Sequence, residues 1–207
     1  MSLYPLGIAL MRALTAIAFR VRIEGTEHLR REDGYIIASN HVSGYDPVLL
    51  SLAAYREKKR INYMAKEELI KIPLIGRVLR ALGAFPVRRG MGDRGALDTA
   101  AKIVTDGKVF GIFPEGTRSK TGKLLPGKSG VAVISARTRC DVVPASIYIE
   151  GAKLRWLAKI TVRFGKPIAF DQLGLSEDFT TPELRTASAL IMQHIGEQYD
   201  KGTLAKV

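Results

Sequence analysis

The sequence predicts an α/β fold: a single domain with a mixed, mostly parallel sheet flanked by helices, preceded by a short N-terminal amphipathic or membrane-associated helix. Three observations predict it. Short apolar runs of buried-strand type alternate with segments of helical periodicity, which is the pattern of parallel sheets. The 207 residues hold no internal repeat, low-complexity tract or Pro/Ser-rich linker, so one domain is expected. A chain of that length buries a sizeable core without staples, and its single cysteine, Cys140, excludes an intrachain disulfide.

The elements follow in order. The first twenty residues are largely apolar, but Arg12 interrupts them, and a bilayer-spanning helix needs about 20 apolar residues. No basic leading region or small-residue cleavage site marks a signal peptide. A helix lying in a lipid interface, with Arg12 and Arg20 at headgroup level, and a helix packed on the core both fit. Val21–Glu24 reads as a strand, and Tyr35–Ser39 as a buried one. Pro47–Tyr55 reads as a helix with Asp46 at the N-cap and Pro47 at the first helical position. Ile61–Ala65 is a strand, and Glu67–Leu82 an apolar helical region broken near Pro73 and Gly76. Phe85–Val87 is a short strand, Gly95–Thr105 a helix, Lys108–Phe113 a buried strand and Gly130–Arg137 a short helix. Val142–Ile149 and Ile160–Phe164 are strands, and Pro182–Tyr199 closes the chain as an amphipathic helix.

The formal charge is +12, with 32 Lys and Arg against 20 Asp and Glu, which favours a polyanionic partner. Nucleic acid is not the choice: no nucleic-acid-binding motif is present, and the basic stretches lack interleaved aromatics. The stretch Lys153-Leu154-Arg155-Trp156-Leu157-Ala158-Lys159 places the only tryptophan among three cations, a composition found at water–lipid boundaries. Three histidines and one cysteine are too few for a Cys/His zinc site.

Two segments carry chemistry. In Asn40-His41-Val42-Ser43-Gly44-Tyr45-Asp46 the histidine directly follows a buried strand. It therefore sits at the carboxyl end of the sheet, where α/β proteins place their sites. Imidazole accepts a proton near neutral pH, and a carboxylate on its other nitrogen fixes the tautomer and stabilises the imidazolium. Asp46 is close enough in sequence to turn back onto His41, but an Asp before Pro is equally suited to cap a helix, and both roles stay open. The second segment, Phe113-Pro114-Glu115-Gly116-Thr117-Arg118-Ser119, ends the strand Lys108–Phe113 and should emerge at the same edge. Arg118 offers a planar fork for phosphate or carboxylate, and Gly116 lets backbone approach closely. Glu115, among these basic groups, is expected to lock an arginine or hold a substrate hydroxyl. No Gly-x-Ser-x-Gly elbow is present, and Cys140 precedes a buried strand as a core residue, so covalent catalysis is unsupported.

Together these segments resemble the glycerolipid acyltransferase family, and within it the lysophosphatidic acid acyltransferases. Its first block, Asn-His with Asp five positions after the histidine, is matched by Asn40, His41 and Asp46. Its second is matched by Gly83-Ala84-Phe85-Pro86-Val87-Arg88-Arg89, its third by Phe113 to Ser119 without gaps, and its fourth by Val142-Val143-Pro144-Ala145-Ser146. A basic position after the third block is matched by Lys128. The likeness runs from about Val21 to Pro167.

The resemblance implies a reaction. His41 acts as general base, supported by Asp46, on the sn-2 hydroxyl of lysophosphatidic acid. The activated oxygen attacks an acyl thioester directly, giving phosphatidic acid. Another lysophospholipid or glycerol 3-phosphate is the alternative acceptor. Arg88 or Arg89, Arg118 and Lys128 hold the substrate phosphate, with Glu115, Gly116 and Thr117 shaping its pocket. The donor is acyl-CoA or acyl-carrier protein, with no further cofactor and no metal. The expected place of work is an anionic membrane surface, on the cytoplasmic face, as a peripheral or monotopic protein. Residues 1–20 would be the membrane-associated helix and 21–207 the acyltransferase domain. Family members carry a longer N-terminal helical pair than the twenty residues before the first strand here, so surface charge and the apolar region Leu69–Leu82 gain weight in attachment.

Overall fold

Strand order in the computed structural model is β1-β7-β6-β2-β5-β3-β4, a seven-stranded sheet. Residues 4–81, 83–87 and 94–204 are described. The strands are β1 (Phe19–Glu24), β2 (Tyr35–Ser39), β3 (Ile61–Lys66), β4 (Ala84–Val87), β5 (Val109–Ile112), β6 (Val142–Ile149) and β7 (Ala158–Phe164). The helices are α1 (Tyr4–Ala18), α2 (Asp46–Ala54), α3 (Glu67–Lys71), α4 (Pro73–Ala81), α5 (Arg94–Thr105), α6 (Gly130–Thr138) and α7 (Thr181–Leu204).

β2 is central because every one of its residues is buried, and its alternation serves two cores. Tyr35 and Ile37 pack with Leu49, Leu50 and Ala53 of α2, while Ile36 and Ala38 pack with Val131 and Ile134 of α6 and Ile191 of α7. Helix α2 thus covers one face, with α1 packed on α2 through Tyr4, Ile8 and Val48, and α5, α6 and α7 cover the other. The mostly parallel expectation holds: β6, β2, β5, β3 and β4 run in one direction. The exception is a hairpin, since β7 is antiparallel to β6 and β1 pairs parallel to β7. One consequence governs the site. The carboxyl ends of β2, β3, β4, β5 and β6 share an edge with the starts of β1 and β7.

Two local expectations change. The helical region after β3 breaks once, at Ile72, so that Pro73 opens α4 at the position proline tolerates best. Gly76 does not break it. It lies inside α4, where the α3 backbone crosses so closely that a Cβ would meet Ile70 O at 1.9 Å. The second change concerns α1, where packing and exposure coexist. Tyr4, Ile8 and Thr15 are buried, while Leu6, Leu10, Leu14 and Ile17 are 49–70% exposed. Among the described residues no helix is long and apolar enough to cross a membrane.

Candidate active site

The buried strand β2 ends at Ser39, and Asn40 carries the chain past it without losing hold of the sheet. Its side-chain amide imitates a strand backbone, donating to Ile147 O at 3.0 Å and accepting Ile147 N–H at 2.8 Å. Both groups are buried, so each bond also avoids the desolvation cost of an unpaired polar atom. His41 therefore leaves the sheet from a fixed point.

Its own backbone is fastened on both sides by the loop that follows β5. The His41 N–H donates to Glu115 Oε1 at 2.8 Å, and His41 O accepts the Ser119 N–H at 2.7 Å. The other Glu115 oxygen accepts the Leu125 N–H at 3.2 Å. Glu115 is only 3% exposed, and burial raises its pKa above the ordinary 4.5 against the pull of those two N–H groups. This corrects the expected arginine lock: the partners of Glu115 are backbone N–H groups, and no ion pair joins it to an arginine among the described residues. A carboxylate flanked by cations in sequence proves to be the brace between two loops.

The side chain of His41 is held as firmly. Its Nδ1 lies 2.7 Å from Asp46 Oδ2. A carboxylate accepts, so Nδ1 donates there, and in the neutral ring the lone pair falls on Nε2. Asp46 is fully buried, and Oδ2 also accepts the N–H groups of Val42 and Ser43 at 2.7 and 2.8 Å. Oδ1 accepts the Ser43 hydroxyl at 2.6 Å. The choice left open by the sequence is thus resolved. Asp46 is the first residue of α2, with Pro47 beside it, and its side chain reaches back to the His41 loop rather than forward to cap the helix. Its charge still favours the helix N-terminus.

The imidazole face lies on Phe113, with ring centroids 4.2 Å apart and an interplanar angle of 18°. Behind Phe113 stands Tyr63, stacked at 6.3 Å and 9°. Tyr63 on β3 pairs with Gly111 on β5, where a Cβ would sit 2.4 Å from the Tyr63 ring. The absence of a side chain at Gly111 is what admits this tyrosine. Neither Phe113, Tyr63 nor Ser43 was singled out for a role in the site by sequence reasoning. Phe113 at the head of its motif was the available signal, since an aromatic at a strand end beside a histidine is placed to stack.

The cations lie around this centre. Arg118 is exposed, and its Nη1 comes within 3.4 Å of where a Cβ on Gly44 would sit, so it borders the His41 loop. Gly116 has φ 69°, a left-handed conformation natural to glycine, and the Lys128 side chain lies directly over it. A Cβ there would meet Lys128 Nζ at 3.0 Å. The Lys128 N–H donates to Pro114 O at 2.8 Å, tying the two ends of the loop. Thr117 is exposed beside Arg118. Neither Arg118 nor Lys128 forms an ion pair among the described residues. Arg88 and Arg89 lie outside the described residues; β4, which precedes them, ends at Val87 on the same sheet edge. Cys140 is buried, its thiol pushed up to about 11 by desolvation, which leaves it a core residue and not a nucleophile.

A base with a fixed tautomer beside unpaired cations is equipped for proton abstraction near an anionic group. The Acyltransferase family model matches residues 20–148, a span that holds the whole constellation. The chain belongs to the acyltransferase family. Among its relatives, the 1-acyl-sn-glycerol-3-phosphate acyltransferase of Bacillus subtilis is 29% identical over 160 residues, covering 76% of this chain and 78% of that protein. The chloroplast 1-acyl-sn-glycerol-3-phosphate acyltransferase of Arabidopsis thaliana is 34% identical over 138 residues, or 64% of this chain and 37% of the relative. The match thus spans most of the bacterial relative and well under half of the plant one. Among solved structures, the 1-acyl-sn-glycerophosphate acyltransferase of Thermotoga maritima superposes with a TM-score of 0.72 at 27% identity, over 94% of this chain and 78% of that one. The family and fold expectations from the sequence are both upheld.

Proposed function

We propose that this acyltransferase transfers a fatty acyl group from a thioester to the sn-2 hydroxyl of 1-acyl-sn-glycerol 3-phosphate, forming phosphatidic acid. The observation that carries the reading is the His41–Asp46 pair, 2.7 Å apart, at a sheet edge bordered by Arg118. Nε2 of His41 takes the proton of the acceptor hydroxyl as its oxygen attacks the thioester carbonyl. Collapse of the tetrahedral intermediate breaks the carbon–sulfur bond, and the imidazolium returns the proton to the departing thiolate. Asp46 stabilises the imidazolium between these events. Arg118 and Lys128, with Arg88 and Arg89, hold the acceptor's phosphate, the charged partner that a planar guanidinium fork suits. General-base assistance supplies about 10²–10⁴ in rate, and holding both substrates together supplies more.

The thioester is already activated, so the reaction draws on no cofactor beyond the donor, acyl-CoA or acyl-carrier protein. The acceptor is a lipid, and the protein works at an anionic membrane surface on the cytoplasmic face as a peripheral or monotopic enzyme. The exposed apolar stripe of α1 and the charge of +12 support that placement. An acyl-transfer assay crossing lysophosphatidic acid, other lysophospholipids and glycerol 3-phosphate with both donor types tests the reading. Fastest turnover with lysophosphatidic acid is expected. Preference for an acceptor lacking a phosphate monoester would overturn it.

A further inference from the structure

The hairpin that reverses the sheet, β6 to β7, has a tip that the proposed chemistry does not use. All seven residues from Gly151 to Leu157 are exposed. They include the only tryptophan of the chain, Trp156, 67% exposed, with Leu157 at 48% and Leu154 at 37%. An indole so exposed at a loop tip forgoes the burial that its area would reward.

Topology gives this tip a neighbour and an orientation. β6 ends and β7 begins at the edge where β2 delivers His41. At that same edge α1 gives way to β1, and the Leu157 N–H donates to Ala18 O at 2.7 Å. The tip therefore adjoins the end of α1, whose Leu14 and Ile17 are 49% and 62% exposed. Leu6, Leu10, Leu14 and Ile17 recur at helical spacing on the α1 face opposite buried Tyr4, Ile8 and Thr15. Helix stripe and loop tip form two adjoining apolar features. Cations rim them: Arg20 at the start of β1, and Lys153 and Arg155 in the tip, are exposed and paired with no carboxylate among the described residues.

We propose that the β6–β7 tip, residues 153–157, is a second lipid-inserting anchor. Trp156 and Leu157 enter the interfacial zone of an anionic bilayer beside α1, and Lys153 and Arg155 bind its headgroups. The occupant is a lipid surface because aromatic and aliphatic side chains alternate with unpaired cations, the pairing of apolar depth and positive rim that anionic membranes attract. Two contacts at one edge fix the tilt of the enzyme and hold the His41 edge against the bilayer. The inference rests on the reading that the acceptor is a membrane lipid.

Because Trp156 is the only tryptophan, its emission reports on this tip alone. The full chain is mixed with vesicles of phosphatidylcholine, of phosphatidylcholine with phosphatidylglycerol, and of the same mixture carrying brominated acyl chains. A blue shift on the anionic vesicles and quenching by the brominated chains are expected. The double variant Lys153→Ala/Arg155→Ala should partition about 30-fold more weakly, at about 1 kcal/mol for each cation near anionic lipid. Unchanged emission while the protein sediments with vesicles would overturn the proposal, since α1 alone would then be the anchor. A blue shift that grows with protein concentration in the absence of vesicles would also overturn it, in favour of a second copy of the chain. Acyl transfer to acceptor dispersed as monomers is measured in parallel, with Trp156→Ala expected to match the wild type. Its absence from the wild type would count against the reaction and not against the fluorescence result.

Discussion

The carboxylate of Glu115 holds the backbone N–H of His41 at 2.8 Å, so the proposed base is fastened by the motif that carries Arg118. Two loops from different strands are thereby joined. Replacing Glu115 with Gln keeps one acceptor and turns an amide –NH₂ toward the other N–H. That substitution should lower stability by about 1–3 kcal/mol at neutral pH. It should also lower kcat by loosening His41. The pH dependence has a definite sign. The Glu115 pKa is raised on folding by burial, so above about pH 4.5 and up through that raised value the folded state binds more protons than the unfolded. Wild-type stability relative to Glu115→Gln should therefore fall as pH rises through that window, as urea midpoints across it would record. A difference that stays flat or rises would contradict the account.

The Asp46 side chain hydrogen-bonds the histidine and its own loop, and does not cap the helix ahead of it. In Asp46→Asn the amide must set a nitrogen against either the His41 ring or the Ser43 hydroxyl. With the charge gone, the imidazolium loses its stabilising partner. A fall in kcat of about 10²–10⁴-fold is expected, with little change in either KM. Helix content by circular dichroism should persist, because α2 takes no cap from this side chain.

Phe113 orients the imidazole from below. Phe113→Leu keeps an apolar side chain and removes the stack, worth about 0.5–1.5 kcal/mol. Up to about a tenfold loss in kcat should follow, with acceptor KM nearly unchanged. Phe113→Tyr should recover most of it; failure of that rescue would assign Phe113 to packing alone.

In the proposed complex, Arg118 meets the acceptor and not the donor. Charge-assisted hydrogen bonds contribute about 1.5–3 kcal/mol, so Arg118→Ala should raise the KM for lysophosphatidic acid about 10–100-fold while leaving donor KM nearly constant. Arg118→Lys should recover only part of this, because an ammonium lacks the guanidinium fork. Equal effects on both substrates would remove Arg118 from the phosphate site.

Much of this arrangement was legible from residues alone, for local reasons. Tyr35–Ser39 and Lys108–Phe113 announce buried strands by their continuous apolar runs, and the residues just past them land at the carboxyl edge of the sheet. What stayed hidden depends on long-range packing. The antiparallel turn of β7 leaves no trace in the apolar pattern of Ile160–Phe164. Tyr63 reaches Phe113 only because β3 lies beside β5 and Gly111 leaves room. The partners of Glu115 are backbone groups, which no side-chain pattern encodes. Asp46 before Pro47 signals a cap on local grounds, and the loop it folds back onto decides otherwise.

The proposed reaction stands on His41 as the base for acyl transfer to a phosphate-bearing lipid acceptor. The most direct measurement is transfer of a labelled acyl group to lysophosphatidic acid by the wild type and by His41→Ala, with circular dichroism on both. Labelled phosphatidic acid is expected from the wild type and none above background from a folded His41→Ala. Phosphatidic acid formed by His41→Ala at the wild-type rate would contradict it.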